Sequence, residues 1–261
     1  MPMALKKMEE FGSDLEVLFV EVQGADMDRV ASFTLNQKWL GRGGIWTTDA
    51  PFQTGSNGIP NYALLGADGK ILMMGNPLAD AAKIEEAIAN EIKGKRAGAA
   101  DQPKELEKAW KDFGKGKAAE AMAALQKLAE GTNADLASAA SAAIGQMRAR
   151  VDGKLARLEW LVENGHYDKA GELLKAFQKD LKGAGEADAK LAAVAEKLKA
   201  PDLKVEIDAE KKLLKIESAL FAEGPTPQSA GQLTKFAEKN QGTKAAERAS
   251  FWAKHAIVVR E

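Results

Sequence analysis

The sequence predicts an α/β domain followed by an all-α domain of helical hairpins. In the first 93 residues, a run rich in β-branched residues and two apolar runs around an Asp-Gly pair are typical of strands. After residue 103, apolar residues instead recur at the three- and four-residue spacing of one helix face. This change of period separates the two predicted domains.

The first predicted elements are a helix, a strand and a second helix. Apolar residues share one face of a helix over residues 3–11. Residues 15–22 predict a strand, and their near-continuous apolar character predicts burial on both faces. Asp26 is a suitable N-cap for a helix that runs to about Leu40. Residues 45–48 fit either a short strand or an extended segment.

A β-hairpin is predicted directly after Pro60. Asp68-Gly69 lies between two apolar runs, and a tight hairpin turn favours this pair because both positions tolerate φ above zero. Pro60 cannot donate to a sheet, so it belongs at the start of a strand. A cis Ile59–Pro60 bond would cost only about 0.5–1 kcal/mol. A helix over about residues 79–93 follows the hairpin.

Several short motifs occur in a fixed order in this part of the chain. They are Ile59-Pro60, Tyr62 to Leu65, Asp68-Gly69-Lys70 and Ile71-Leu72, and the chain opens with Met1-Pro2-Met3-Ala4-Leu5. In this order they resemble a thioredoxin-fold domain of the redoxin type, the type of peroxiredoxins and secreted thiol–disulfide oxidoreductases. The opening resembles the Met-Pro-x-x-Leu that follows Cys-x-x-Cys in the family. The resemblance covers residues 1–93 and implies that Pro60 is cis and faces the redox site.

Two features of that family are missing from this chain, namely Cys-x-x-Cys and the first strand. The sequence contains no cysteine. In the family, the first strand lies between those that correspond to residues 15–22 and 62–66, so its loss would leave unpaired backbone groups. We therefore expect an N-terminally incomplete thioredoxin-like domain, with the missing parts encoded upstream of Met1. The alternative is a sheet that has closed without that strand.

Glycine, alanine and charged residues predict a linker over residues 94–103, between a domain of residues 1–93 and one of residues 104–261. The periodicity after the linker predicts successive helices. Residues 203–207 also fit a strand, but the apolar pattern that continues beyond them favours one helix.

Two stretches of the helical domain resemble each other. Lys115-Gly116-Lys117-Ala118 and Asn164-Gly165-His166-Tyr167 each lead into an apolar helix face. The second resembles the turn and second helix of a tetratricopeptide repeat. The two lie 49 residues apart, which is longer than the family's repeat, so we expect a degenerate tetratricopeptide-like domain.

Composition excludes several functional classes. The net charge of −1 gives no overall attraction to nucleic acid or to anionic membranes. No stretch approaches the roughly 18 consecutive apolar residues of a membrane span. Without cysteine there is no disulfide, thiolate nucleophile or cysteine metal site. The chain shows no signal-peptide pattern, which leaves the compartment open, and a truncated N-terminus would be compatible with an extracytoplasmic location.

Ile59 and Pro60 are the predicted contact for a substrate or peptide, and a purely structural cis-proline is the alternative. No catalytic, metal-binding or cofactor-binding residue is predicted. The only two histidines, His166 and His255, are expected to be partly exposed helical residues. Three tryptophans are expected to anchor helix pairs or, alternatively, to line a peptide groove: Trp110, Trp160 and Trp252.

Two functions are compatible with these patterns. The first is a binding or scaffold protein with a helical repeat domain and a protein or peptide partner. The alternative is a truncated thiol–disulfide oxidoreductase whose Cys-x-x-Cys lies upstream of Met1. The chain itself is expected to have no thiol redox activity, because that exchange requires a thiolate.

Overall fold

A computed structural model describes residues 2–41, 44–50, 52–54, 58–66, 69–97 and 103–256. About 68% of these described residues are helical, which supports the predicted helical domain. The described helices are α1 (Pro2–Phe11), α2 (Met27–Asn36), α3 (Ala81–Ala97), α4 (Lys104–Gly114), α5 (Ala118–Ala129), α6 (Ala134–Glu163), α7 (Tyr167–Asp180), α8 (Glu186–Lys199), α9 (Leu203–Glu223), α10 (Pro227–Lys239) and α11 (Lys244–His255). The described strands are β1 (Leu18–Val20), β2 (Ile45–Thr47), β3 (Tyr62–Leu65) and β4 (Ile71–Gly75).

The four described strands form two two-stranded sheets. β1 runs parallel to β2, with Leu18 opposite Ile45. β3 runs antiparallel to β4, with Ala63 opposite Met74, which confirms the predicted hairpin. Its turn residue Asp68 lies outside the described residues. Among the described strands these are two separate sheets, and the incomplete thioredoxin-like fold stays a prediction.

The strand predicted over residues 15–22 is shorter and more open than expected. β1 has three residues. The side chains of Leu18 and Val22 are 44% and 62% exposed, whereas Phe19 is buried. The prediction of burial on both faces is therefore wrong, because only the face that carries Phe19 is packed against other residues. The apolar run at residues 62–66 likewise predicts burial on both faces, and that prediction is wrong as well, because Leu65 of β3 is exposed.

The helices before residue 104 begin close to their predicted positions. Asp26 caps α2 by accepting a hydrogen bond from the N–H of Arg29 at 2.8 Å. α3 begins at Ala81 and continues through Ala97, into the predicted linker. The linker residues 98–102 lie outside the described residues, so the predicted domain boundary stays a prediction.

Contacts group the chain into two compact units. The first unit consists of residues 1–53, 164–168 and 199–261, and the second of residues 54–163 and 169–198. The sequence did not predict that the first 53 residues would group with the last helices. Such a grouping depends on contacts between distant parts of the chain, which periodicity does not report.

In the second unit, α4, α5 and α6 share one core. Leu106, Trp110, Leu125 and Met147 are almost completely buried in it. Gly116 connects α4 to α5 with a φ of 79°, a left-handed conformation that glycine adopts without steric cost. The helix–turn–helix predicted at this position is confirmed.

The second predicted turn has the same conformation, since Gly165 has a φ of 74° between α6 and α7. The likeness to tetratricopeptide repeats stays a prediction. Trp110 is buried as expected, but Trp160 is 55% exposed, so its predicted role as a core anchor is wrong. Trp160 lies on α6 beside the buried Leu158 and Leu161, and helical spacing turns it away from that face.

In the first unit, α9, α10 and α11 share a second core around Leu213, Leu220 and Leu233, and Trp252 packs against it. α9 is a single helix, so the strand alternative for residues 203–207 is wrong. α10 begins with a capping box in which the side chains of Thr226 and Ser229 each accept from the other's backbone N–H.

Candidate functional site

The predicted contact residues Ile59 and Pro60 lie on the surface of the second unit. The bond between them is cis, as predicted. The Ile59 side chain is 60% exposed, and Pro60 is exposed as well. The next residue, Asn61, fixes the loop by donating to the hydroxyl of Thr54 and accepting from the N–H of Tyr62 at 2.9 Å. Both predicted residues are therefore accessible to a partner.

Further apolar side chains are exposed on the hairpin that follows Pro60. Leu65, Ile71, Leu72 and Met74 are each between 42% and 49% exposed. We call these four residues together with Ile59 the hairpin patch. A soluble protein seldom leaves several large apolar side chains open on neighbouring strands, and such groups are typical of interaction sites. The sequence signalled the strands, but their apolar pattern predicted burial.

The other face of the hairpin is held by a polar contact. Tyr62 donates its hydroxyl to Asp80 Oδ2 at 3.3 Å, which links β3 to the residue before α3. Burial, followed by the charge of Asp80, raises the pKa of Tyr62. The phenol thus stays protonated and keeps donating across the physiological range.

A cluster that sequence reasoning missed lies in the first unit. Ser32 Oγ is 3.0 Å from His255 Nδ1, and Asp28 Oδ1 is 3.1 Å from His255 Nε2. His255 is only 4% exposed, so the expectation of a partly exposed histidine is wrong. Lys254 also binds Asp28, and this hydrogen bond is the main cause that lowers the pKa of the Asp28 carboxyl.

Serine, histidine and aspartate together are the residue types of nucleophilic catalysis, which also requires backbone N–H groups near the serine to stabilise an oxyanion. Ser32 lies in the middle of α2, where its N–H belongs to the helix and cannot stabilise an oxyanion. The cluster instead ties α2 to α11. Asp28 and Ser32 are four residues apart on one helix face, which is the signal that the sequence offered.

A second cluster joins α9 to α11. Glu217 accepts from Arg248 Nε and Nη2 at 2.7 and 3.1 Å, and from Trp252 Nε1 at 3.1 Å. Arg248 Nη1 is 3.0 Å from His166 Nδ1, and Arg248 Nη2 is 3.8 Å from Glu210 Oε1. His166 is partly exposed as expected, but it precedes α7 rather than lying in a helix. The guanidinium compensates the two carboxylates, both of which are buried.

Glu210 also holds the start of α7. Its Oε2 accepts from the N–H of Asp168 at 2.9 Å. Burial raises the pKa of Glu210, and the hydrogen bond from Asp168 and the charge of Arg248 oppose that rise. Burial and the neighbouring acids Glu206 and Glu210 raise the pKa of Tyr167. These contacts satisfy helix ends and buried charges, so the cluster is structural.

A cleft of about 550 Å³ lies beside this cluster, between α9 and the residues after α2. Leu40, Leu214 and Phe221 give it an apolar lining. Lys38 stands at the cleft with a φ of 56°, a left-handed conformation that non-glycine residues seldom adopt.

Neither a metal site nor a membrane span is present in the described part of the chain. No group of three or more histidine, aspartate or glutamate residues there could hold a metal ion. No described helix has the length and apolar character needed to cross a membrane. Comparison with protein-family models, curated proteins and solved structures gives no match to this chain.

Proposed function

We propose that this chain is a binding protein that holds an extended polypeptide segment at the hairpin patch, with the helical hairpins as its scaffold. The observation that carries this proposal is the exposure of large apolar side chains beside Pro60, from 42% at Leu65 and Leu72 to 60% at Ile59. Neither strand of the hairpin carries a charged side chain that would repel an apolar partner.

The backbone of β4 favours an extended partner over a helical one. Beyond the pairing with β3, the described part of the chain provides no hydrogen bond to the backbone of Leu72, Met73 or Met74. A strand edge with unused donors and acceptors pairs readily with another strand. In recognition of this kind, backbone hydrogen bonds supply affinity and alternate side chains supply specificity.

The test uses labelled, uncharged peptides with alternating apolar and polar residues, titrated with the full chain and followed by fluorescence anisotropy. We expect the double variant Ile71→Lys/Met74→Lys to bind at least about tenfold more weakly, because lysines at the patch would be desolvated by an apolar partner. Val22→Lys/Val205→Lys is the matched control, since both residues lie in the first unit and are more exposed than the replaced pair. Equal binding by the patch variant and the wild type would refute the proposal.

We also propose a redoxin-type, thioredoxin-like family for the N-terminal part, supported by the order of its motifs around Ile59-Pro60. Because the chain has no cysteine, insulin reduction should proceed at the uncatalysed rate in its presence. The alternative function, a thiol–disulfide oxidoreductase, predicts an in-frame Cys-x-x-Cys in the nucleotide sequence before Met1. Sequencing the genomic DNA upstream of the Met1 codon decides between the two.

A further inference from the structure

Three lysines form a row on one exposed face of α9. Lys204, Lys211 and Lys215 are spaced by seven and four residues, which places them on the same side of a helix. Lys212 is exposed next to this row, and Asp208 is the one acid within it. The row is about 16 Å long at the helical rise per residue. We call these four lysines the lysine row.

The charge of the lysine row is not neutralised by ion pairs. Within the described part of the chain, none of its four lysines has a carboxylate within ion-pair distance. Some other surface lysines are paired, as with Lys117 and Glu120 at 3.1 Å or Lys190 and Glu186 at 2.9 Å. With Asp208 as the one opposing charge, this face of α9 keeps a positive potential.

The same face of α9 continues from the lysine row into the cleft described above. Ser218 and Ala222 follow Lys215 at helical spacing, and both line the cleft. Lys38 adds a positive charge there. Glu217 also lines the cleft, but Arg248 neutralises its carboxylate. Positive charge and an apolar pocket are thus adjacent on one surface of the first unit.

We propose that this surface binds an acidic, extended polypeptide segment that inserts one bulky apolar side chain into the cleft. The lysine row attracts successive carboxylates, and Leu40, Leu214 and Phe221 receive the apolar anchor. A short row of lysines without exposed arginine or aromatic partners is poorly suited to reading nucleic acid. A cleft of about 550 Å³ beside one end of the row suits a single anchor better than a lipid surface.

The first experiment measures binding of a short labelled peptide, rich in Asp and Glu with one central Phe, to the full chain by fluorescence anisotropy. We expect Lys211→Glu/Lys215→Glu to weaken binding by at least about tenfold and the wild-type affinity to fall with added salt. Lys175→Glu/Lys179→Glu is the matched control, because those exposed lysines on α7 have the same four-residue spacing. The control should bind as the wild type does. Equal weakening by both variants would refute the lysine row as the site.

The second experiment separates the contribution of the cleft to peptide binding from that of the lysine row. Leu214→Ala should weaken binding of the Phe peptide several-fold and leave a Phe→Ser version of that peptide unaffected. An equal effect on both peptides, or none on either, would overturn the anchor. Single-stranded DNA and phosphatidylserine vesicles serve as competing polyanions. Tighter binding of either one than of the peptide, with the same loss in Lys211→Glu/Lys215→Glu, would overturn the choice of an acidic polypeptide.

Discussion

The helices from Lys104 onward bury most of their large apolar side chains, whereas the two small sheets before that residue leave several of theirs exposed. Leu106 and Leu125 are fully buried in the core of α4, α5 and α6. Leu18 and Ile45 stand opposite each other in the first sheet, yet they are 44% and 58% exposed. A helix can bury its apolar face against the next helix along the chain. A strand needs a packing layer that its neighbours in sequence do not supply.

The largest expected effect contrasts the two kinds of packing directly. Leu125→Ala should lower the free energy of unfolding by about 2–5 kcal/mol, because the removed side chain leaves a cavity among fully buried neighbours. Leu72→Ala should cost about 1 kcal/mol or less, because that side chain is already half exposed. Urea unfolding followed by circular dichroism measures both. A larger loss for Leu72→Ala would mean that the hairpin is packed more tightly than its exposure indicates.

Removing a buried charge from the helical part should lower the free energy of unfolding nearly as much as Leu125→Ala. Arg248→Met leaves Glu217 and Glu210 without their cation, and the free energy of unfolding should fall by about 3 kcal/mol. Lys117→Met breaks an exposed ion pair with Glu120 and should change the free energy of unfolding by about 0.5 kcal/mol at most. Chemical denaturation of both variants tests the contrast. Equal losses would show that burial does not control the strength of these pairs.

Because Glu210 loses its proton as pH rises, the free energy of unfolding should fall over that pH range. Burial raises the pKa of its carboxyl in the folded state, so the folded protein binds that proton more readily than the unfolded chain does. The stability contributed by this group is therefore present below the unfolded pKa and is lost as pH rises through the folded pKa. Urea midpoints between about pH 4 and 7 should fall more steeply for the wild type than for Glu210→Gln. A shallower fall in the wild type would mean that folding lowers the pKa of Glu210 and would contradict this prediction.

The smallest expected effect concerns the end of α2. The helical part places glycine at the left-handed positions between its helices, as at Gly116 and Gly242, whereas the chain after α2 uses Lys38. Lys38→Gly should raise the free energy of unfolding by about 1 kcal/mol, because it removes the steric cost of a side chain in that conformation. Thermal or urea unfolding detects this gain. Lys235→Gly, within α10, is the control and should destabilise instead.

Local features of the structure could be predicted from the sequence, since their causes lie within a few residues. The cap at Asp26, the hairpin around the Asp-Gly pair and the left-handed turns at Gly116 and Gly165 all belong to this class. The contact of Ser32 with His255 spans 223 residues, and the four-residue spacing of Asp28 and Ser32 did not indicate which distant residue would contact them. The exposure of Leu18 was missed because an apolar run signals a strand without showing whether both of its faces are covered.

Amide hydrogen exchange tests most directly whether the small sheets are less stable than the helices. We predict that amides of residues 17–22 exchange at least about tenfold faster than those of residues 170–181. Among the described strands β1 pairs only with β2, and one of its faces is exposed, whereas α7 has a buried apolar face. The measurement is made on a verified monomer at neutral pH. Protection of residues 17–22 equal to or greater than that of α7 would contradict the proposed difference between the sheets and the helices.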